Sequence, residues 1–298
     1  MLRKSSISLC QEIRLQINIM ITIKATHISN ELIDLLNEEK YLVHSCFDSG
    51  CNLRIGNILC FIGNKYNTKV PYGILLREYD VIRFVEKINP DVTWFRWDAK
   101  EKRLVSSEVI IDAGLGESYN SSLLKLAYDI TEQQITLAES VICKSLVTGF
   151  DMTIEELLYK EQEKIQELYR AFKSNDKDYI ELSLKKWIGR GKGLTPSGDD
   201  FLQGILFVNE ICPILSKRFK EAIEVLIEKG YTTDISKNYF ASALQGLYTE
   251  PLLQFYKALE KQDVIGIRKS VAGILRFGHT SGVDIAAGLL AGIIYLKE

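Results

Sequence analysis

The chain reads as an α+β protein, with a small antiparallel β-rich N-terminal domain, sheet or barrel, packed on an all-helical C-terminal domain. Three observations carry this. Short β-branched and aromatic runs crowd the first third of the sequence, long apolar-periodic runs fill the rest, and no low-complexity linker separates them. The strand-like runs lie at 53–62, 72–76, 81–85, 92–97 and 109–111. Turn chemistry divides them, at Gly63-Asn64, at Asn89-Pro90-Asp91 and after Asp98. Such short connections favour antiparallel pairing over βαβ units. A helix over 30–39, capped by Ser29 or Asn30, is expected ahead of them. Trp94 and Trp97 stand an odd number of residues apart and so face opposite sides of one strand, at least one of them in the core.

Past Gly116 the period changes. The segment 121–146 has no proline or glycine and predicts one long helix. A second, over 153–172, opens on Thr153-x-x-Glu156, a capping-box pattern. Helices are then expected at 178–188, 199–211, 217–229, 235–247, 251–259, 264–275 and 282–296. The boundary falls within 112–120, giving a β-rich domain over 1–115 and a helical domain over 116–298, with 1–19 as a candidate appendage ahead of Met20.

Composition narrows the function. With 298 residues and 46% apolar content, the chain is long enough for about two domains with real cores. Its 37 basic and 39 acidic residues balance, which argues against a nucleic-acid partner. No window approaches the roughly 20 apolar residues of a membrane span, and the first 23 residues are too charged for a signal peptide. The six cysteines, Cys10, Cys46, Cys51, Cys60, Cys143 and Cys212, form no Cys-x-x-Cys pair and read as reduced thiols of a cytoplasmic protein.

The chemistry concentrates in the block Gly189-Arg-Gly-Lys-Gly-Leu-Thr-Pro-Ser-Gly-Asp-Asp-Phe-Leu-Gln-Gly204. It has an echo 84 residues on, Ser281-Gly-Val-Asp-Ile-Ala-Ala-Gly288. Both copies read Ser-Gly-x-Asp-x-x-x-Gly-x-Leu after a Gly-x-Thr step. One account is purely structural: Ser197 and Ser281 cap two helices, and Gly204 and Gly288 let those helices approach closely. The other is a two-lobed site for a small anion. Alternating glycines can turn backbone N–H groups toward an anion at a helix start. On that account Arg190, Gly191, Lys192, Gly193, Thr195, Ser197, Gly198, Thr280, Ser281 and Gly282 bind substrate, and Asp200, Asp284 and His279 do the chemistry. Asp199, Asp200 and Asp284 are candidates to hold Mg²⁺. Thr232-Thr233-Asp234-Ile-Ser236 reads as a further cap whose hydroxyls could reach the same pocket. The order of residues is that of neither a P-loop nor a dinucleotide fingerprint, and no nucleophile elbow is present.

The block, together with Thr233-Asp-Ile-Ser236, Glu250-Pro-Leu and Gly278-His-Thr-Ser-Gly-x-Asp284, resembles a bacterial family, labelled a domain of unknown function, that includes the AllH-type third subunit of oxamate carbamoyltransferase. The resemblance is strong over 189–292 and looser over the β-rich part, where Asn52-Leu and Pro71 fall in fitting places. It implies anaerobic purine or allantoin breakdown, in which oxalurate and phosphate give oxamate and carbamoyl phosphate. It also implies separate partner subunits, one of them similar to acyl-CoA synthetase proteins. The competing expectations are a noncatalytic anion-binding or assembly subunit and a stand-alone hydrolase.

Overall fold

The computed structural model describes residues 20–64, 68–123 and 131–297. The 1–19 segment, with Cys10, lies outside them. The β-rich part is built from β1 (Ile21–Lys24), β2 (His27–Ser29), β3 (Lys40–Phe47), β4 (Gly50–Ile55), β5 (Ile58–Gly63), β6 (Gly73–Leu75), β7 (Trp94–Asp98), β8 (Arg103–Val105), β9 (Val109–Asp112) and β10 (Glu117–Tyr119). Among the described residues these form one ten-stranded sheet in the order β1-β9-β8-β7-β3-β4-β5-β6-β2-β10. β1 and β2 stand far apart in that order, yet only Ala25 and Thr26 separate them in sequence. The backbone N–H of Ala25 still donates to Asp112 on one side, and that of Thr26 to Leu75 on the other. The sheet is therefore curled until its two ends meet, and Ile23, Leu53, Ile62, Ile74, Phe95 and Ile111 fill its concave side.

Pairing is mixed rather than purely antiparallel, because β1/β9, β2/β10 and β5/β6 run parallel. The β1/β9 and β2/β10 pairs follow from the closure, since β1–β2 and β9–β10 travel side by side. The run expected at 53–62 is a hairpin, turned at Gly56 with φ 56°. The run at 81–85 lies in a helix, α2 (Glu78–Val85). Val81, Phe84 and Ile88 recur at three and four residues and are buried, which is a helical stripe. The helix expected over 30–39 closes after one turn, α1 (Asn30–Ile33), and Ser29 makes no side-chain cap. Trp94 is exposed and Trp97 buried, as their spacing requires. Cys46 and Cys51 face each other across the β3–β4 hairpin and form a disulfide, which corrects the reading of scattered free thiols. Cys60, Cys143 and Cys212 are free.

The helical part comprises α3 (Glu132–Val141), α4 (Ile154–Lys160), α5 (Gln162–Phe172), α6 (Lys177–Leu184), α7 (Ser197–Ile211), α8 (Lys217–Glu228), α9 (Asp234–Leu244), α10 (Glu250–Glu260), α11 (Val264–Leu275) and α12 (Ser281–Tyr295). Where one helix was expected over 121–146, the chain instead pairs Ser122 with Leu247 and ends α3 at Val141; residues 124–130 lie outside the described set. The Thr153 capping box forms with Glu156, but Glu161 breaks that run into α4 and α5. No helix among the described residues is long and apolar enough to cross a membrane.

At the centre, α7 and α12 lie side by side in the most extensive contact between any two helices described. A side chain at Gly204 would stand 2.6 Å from the Leu289 nitrogen, and one at Gly288 only 2.7 Å from the Phe201 carbonyl carbon. Gly292 lies against Val208 in the same register. The pairs 204/288 and 208/292 keep one offset, so the two helices are parallel and begin at the same end of the molecule. That is the convergence the repeat implied. Gly288→Ala drives a methyl into the backbone of α7 and should cost ~3 kcal/mol, read as a lowered urea midpoint. A midpoint within error of wild type would show that the helices can part without penalty.

Candidate functional site

Ser197 and Ser281 are the first residues of α7 and α12, and neither is an N-cap. Pro196 and Thr280 hold the cap positions and make no side-chain cap bond. The capping-box account of the repeat is therefore corrected. Because the two helix starts lie together, each serine turns to the other copy. The carboxyl of Asp200 is faced by Ser281 and Thr195, whose hydroxyls bond each other at 2.9 Å. The carboxyl of Asp284 is faced by Ser197 and Thr280. The copies thus exchange partners across the crossing.

Each aspartate has one oxygen on an amide N–H. Asp284 Oδ1 accepts from the Gly149 backbone at 2.9 Å, and Asp200 Oδ1 from Gln203 Nε2 at 3.2 Å. The Oδ2 atoms of both are buried without a hydrogen-bond partner. Burial raises Asp200 well above the ordinary carboxylate range, with the negative neighbours Asp284 and Asp199 adding to it against the lowering by the two hydroxyls. Burial raises Asp284 to about 6.

The two mouths differ in what lies beside the carboxyl. At Asp284 the chain itself closes the space. A side chain at Gly149 would meet Thr280 Oγ1 at 2.7 Å and Asp284 Oδ2 at 3.0 Å. At Asp200 the space is a cavity of about 30 Å³, walled by Thr195, Gln203, Tyr239, Thr249, Phe277 and Ser281, among others. An outer chamber of about 150 Å³ shares Pro71, Thr195 and Tyr239 with it and opens between the sheet and the helices. Phe47, Ser49, Asn52, Leu59 and Phe61 form its sheet side, and Ile235 and Asn238 of α9 its helical side. α9 fastens the two parts together. The Asn238 amide bonds both the N–H and the carbonyl of Leu59, at 2.8 and 3.2 Å. Asp234 pairs with Arg54 at 2.6 Å and His44 at 3.1 Å, and the Arg54 bond leads in holding its carboxyl below the usual range.

The remaining candidates are placed elsewhere. Asp199 is fully engaged, accepting from the Gly189 N–H at 2.7 Å, from Ser236 Oγ at 2.7 Å and from Thr232 Oγ1. It braces the glycine loop to α9, and Thr233 caps that helix. Asp199 and Asp200 are neighbours on a helix and point about 100° apart. No group of three or more metal-ligating side chains exists among the described residues. Asp199, Asp200 and Asp284, the candidates for Mg²⁺, thus do not gather as a three-ligand group among the described residues. Arg190 is held by Glu161 at 2.7 Å and lies over the Phe150 ring. Lys192 and His279 are exposed and line neither cavity. Gly189, Gly191 and Gly193 do take positive φ, at 75°, 125° and 86°. At Gly191 the reason is close packing, since a side chain would stand 2.5 Å from the Ser197 nitrogen. Gly198 and Gly282 let the two helix starts rest on the carbonyls of Trp187 and Ile274. Thr195, Asp200 and Ser281 are thus the sequence candidates that meet in the open cavity. Gln203, Tyr239 and Gly149 were missed. Gln203 could have been found by aligning the two copies, which differ there as glutamine against Ala287.

Asp284 gives a pH signature. Between about 4 and about 6 the folded chain keeps a proton on Asp284 that the unfolded chain has lost. Its contribution to stability is thus full at low pH and is lost as pH rises through about 6. Asp284→Asn, neutral throughout, should gain on wild type by up to ~3 kcal/mol between pH 4 and 7, measured by urea unfolding. A constant difference between the two proteins over that range would contradict it.

No solved structure matches the chain. Residues 187–293 match the family model described as oxamate carbamoyltransferase subunit AllH. That segment, which holds both copies of the glycine–serine–aspartate block and the crossing of α7 and α12, is similar to the AllH family.

Proposed function

We propose that the chain is a cytoplasmic subunit of an oxamate-carbamoyltransferase-type enzyme and that the cleft ending at Asp200 holds the small carbamoyl or amide compound. The reaction is oxalurate plus phosphate to oxamate plus carbamoyl phosphate, within purine or allantoin breakdown. The observation that carries this reading is a buried aspartate in the lining of a cavity, with one carboxyl oxygen that has no hydrogen-bond partner, inside the segment that matches the family.

The cleft lining suits part of that chemistry. A carboxyl kept protonated by burial is a donor, and with Thr195, Ser281, Tyr239 and Thr249 it offers neutral hydrogen bonds to a carbonyl oxygen that gains charge during transfer. Neither cavity is lined by a Lys, Arg or His among the described residues. A phosphate needs cations or several N–H donors. On this reading a partner subunit completes the phosphate site, closing over the outer chamber, and the chain alone does not turn over. The same lack of cations is what favours the second reading, a noncatalytic binding or assembly subunit.

Co-expression with the partner subunits, followed by assay of oxalurate-dependent carbamoyl phosphate formation, separates the two. Asp200→Ala should keep the assembly intact and lower its rate by ~100-fold or more. An intact assembly of full activity carrying Asp200→Ala would leave the assembly reading in place and remove the catalytic one.

A further inference from the structure

The duplicated mouth contains its own comparison. Both copies place an aspartate four residues into the Ser-Gly repeat, face it with the other copy's serine, and seat one carboxyl oxygen on an amide N–H. At Asp284 that N–H belongs to the backbone of Gly149, and the same residue covers the second oxygen. At Asp200 it belongs to the side chain of Gln203, three residues along α7 and therefore on the same helix face. The position equivalent to Gln203 in the second copy is Ala287, which has no polar group to offer. The open mouth thus has a side-chain amide where the sealed mouth has a peptide.

That substitution has a geometric consequence. With Gln203 Nε2 committed to Asp200 Oδ1, the Gln203 Oε1 atom is turned away from it, and it accepts no hydrogen bond among the described residues. Asp200 Oδ2 is likewise buried and unpartnered. Both residues line the inner cavity. Since Oδ1 accepts, a proton on the carboxyl resides on Oδ2. The cavity wall then presents a hydroxyl donor and a carbonyl acceptor from adjacent turns of one helix, and no Lys, Arg, His, Glu or second Asp lines that cavity among the described residues. This pattern is complementary to the edge of a carboxamide, whose carbonyl accepts and whose N–H₂ donates.

Resting on the functional reading above, we infer that Gln203 is the specificity-determining residue of the cleft: Asp200 Oδ2 takes the carbonyl oxygen of the ligand's amide end and Gln203 Oε1 takes its N–H₂. Size supports this orientation. The inner cavity of about 30 Å³ has room for one small planar group, since a single water needs ~10–15 Å³ on the same measure. The rest of the ligand, with its carboxylate, lies in the outer chamber of about 150 Å³ near Ser49, Asn52 and Asn238. A carboxylate in place of the amide would set a negative oxygen against Gln203 Oε1 in a buried place and leave that acceptor unpaired.

Oxamate and oxalate differ only in this group, N–H₂ against O⁻, and form the test. Each is titrated into the chain alone at pH 7 and fixed ionic strength, with binding followed by NMR. Oxamate should bind at least ~10-fold more tightly than oxalate. Gln203→Met, which keeps the volume and removes the acceptor, should abolish that preference while the melting temperature shows it folded. Gln203→Ala is the second variant should methionine disturb packing. Equal or tighter binding of oxalate by wild type overturns the inference, as does a preference that survives both substitutions, or no binding of either compound to the folded chain. Catalysis that depends on Asp200 without an oxamate preference would sink this inference and leave the functional reading. An oxamate preference that depends on Gln203 in an assembly that does not transfer carbamoyl groups would do the reverse.

Discussion

The approach of α7 to α12 at Gly204 and Gly288 is the constraint on which the rest depends. With no side chain at either position, the two backbones come within a distance that any Cβ would prevent. Because the contact keeps a fixed offset, the helices are parallel, and both helix starts reach the same place. Parallel helix starts bring two partial positive ends together. The acids of the first turns, Asp199 and Asp200 on one helix and Asp284 on the other, lie in that field. Burial is nevertheless the larger influence, and it raises all three above the usual carboxylate range.

Three acids so close together have been given three different surroundings. Asp199 is saturated by donors from the glycine loop and α9, which makes it a strut. Asp284 is shut in by Gly149. Asp200 alone among them opens on space. A duplicated unit has therefore diverged through its surroundings, since the Ser-Gly-x-Asp residues themselves are the same in both copies. The divergence comes from the 147–153 segment, which fills one mouth, and from the sheet, which stands back from the other and encloses a chamber. α9 links these levels, since one face braces Asp199 through Ser236 while Asp234 and Asn238 fasten it to β3, β4 and β5.

Much of the arrangement was legible in the order of residues. The α+β division and most of the C-terminal helices follow from hydrophobic period, and the Thr153–Glu156 capping box from its spacing. The repeat announced two equivalent helix starts. Misreadings occurred where local pattern and long-range pairing compete. Val81–Val85 has strand-like composition, yet its buried residues fall at helical spacing once Ile88 is included. The two cysteines of the β3–β4 hairpin are ordinary in sequence and become neighbours only through the register of that hairpin. Arg190, Lys192 and His279 have the right chemistry for an anion, but the loop turns them toward Glu161 or toward solvent.

The duplicated block, with its glycines, hydroxyls and acids, can be read from residue order, because a repeat and a helical period are properties of spacing along one chain. Which of the paired acids borders the cleft is settled by packing. That choice depends on Gly149, Tyr239, Asn52 and the curl of the sheet, groups far from the block in order. A residue's exposure is set by whatever packs over it, and nothing in the spacing around Asp200 and Asp284 distinguishes a mouth that another segment will fill from one it will leave open.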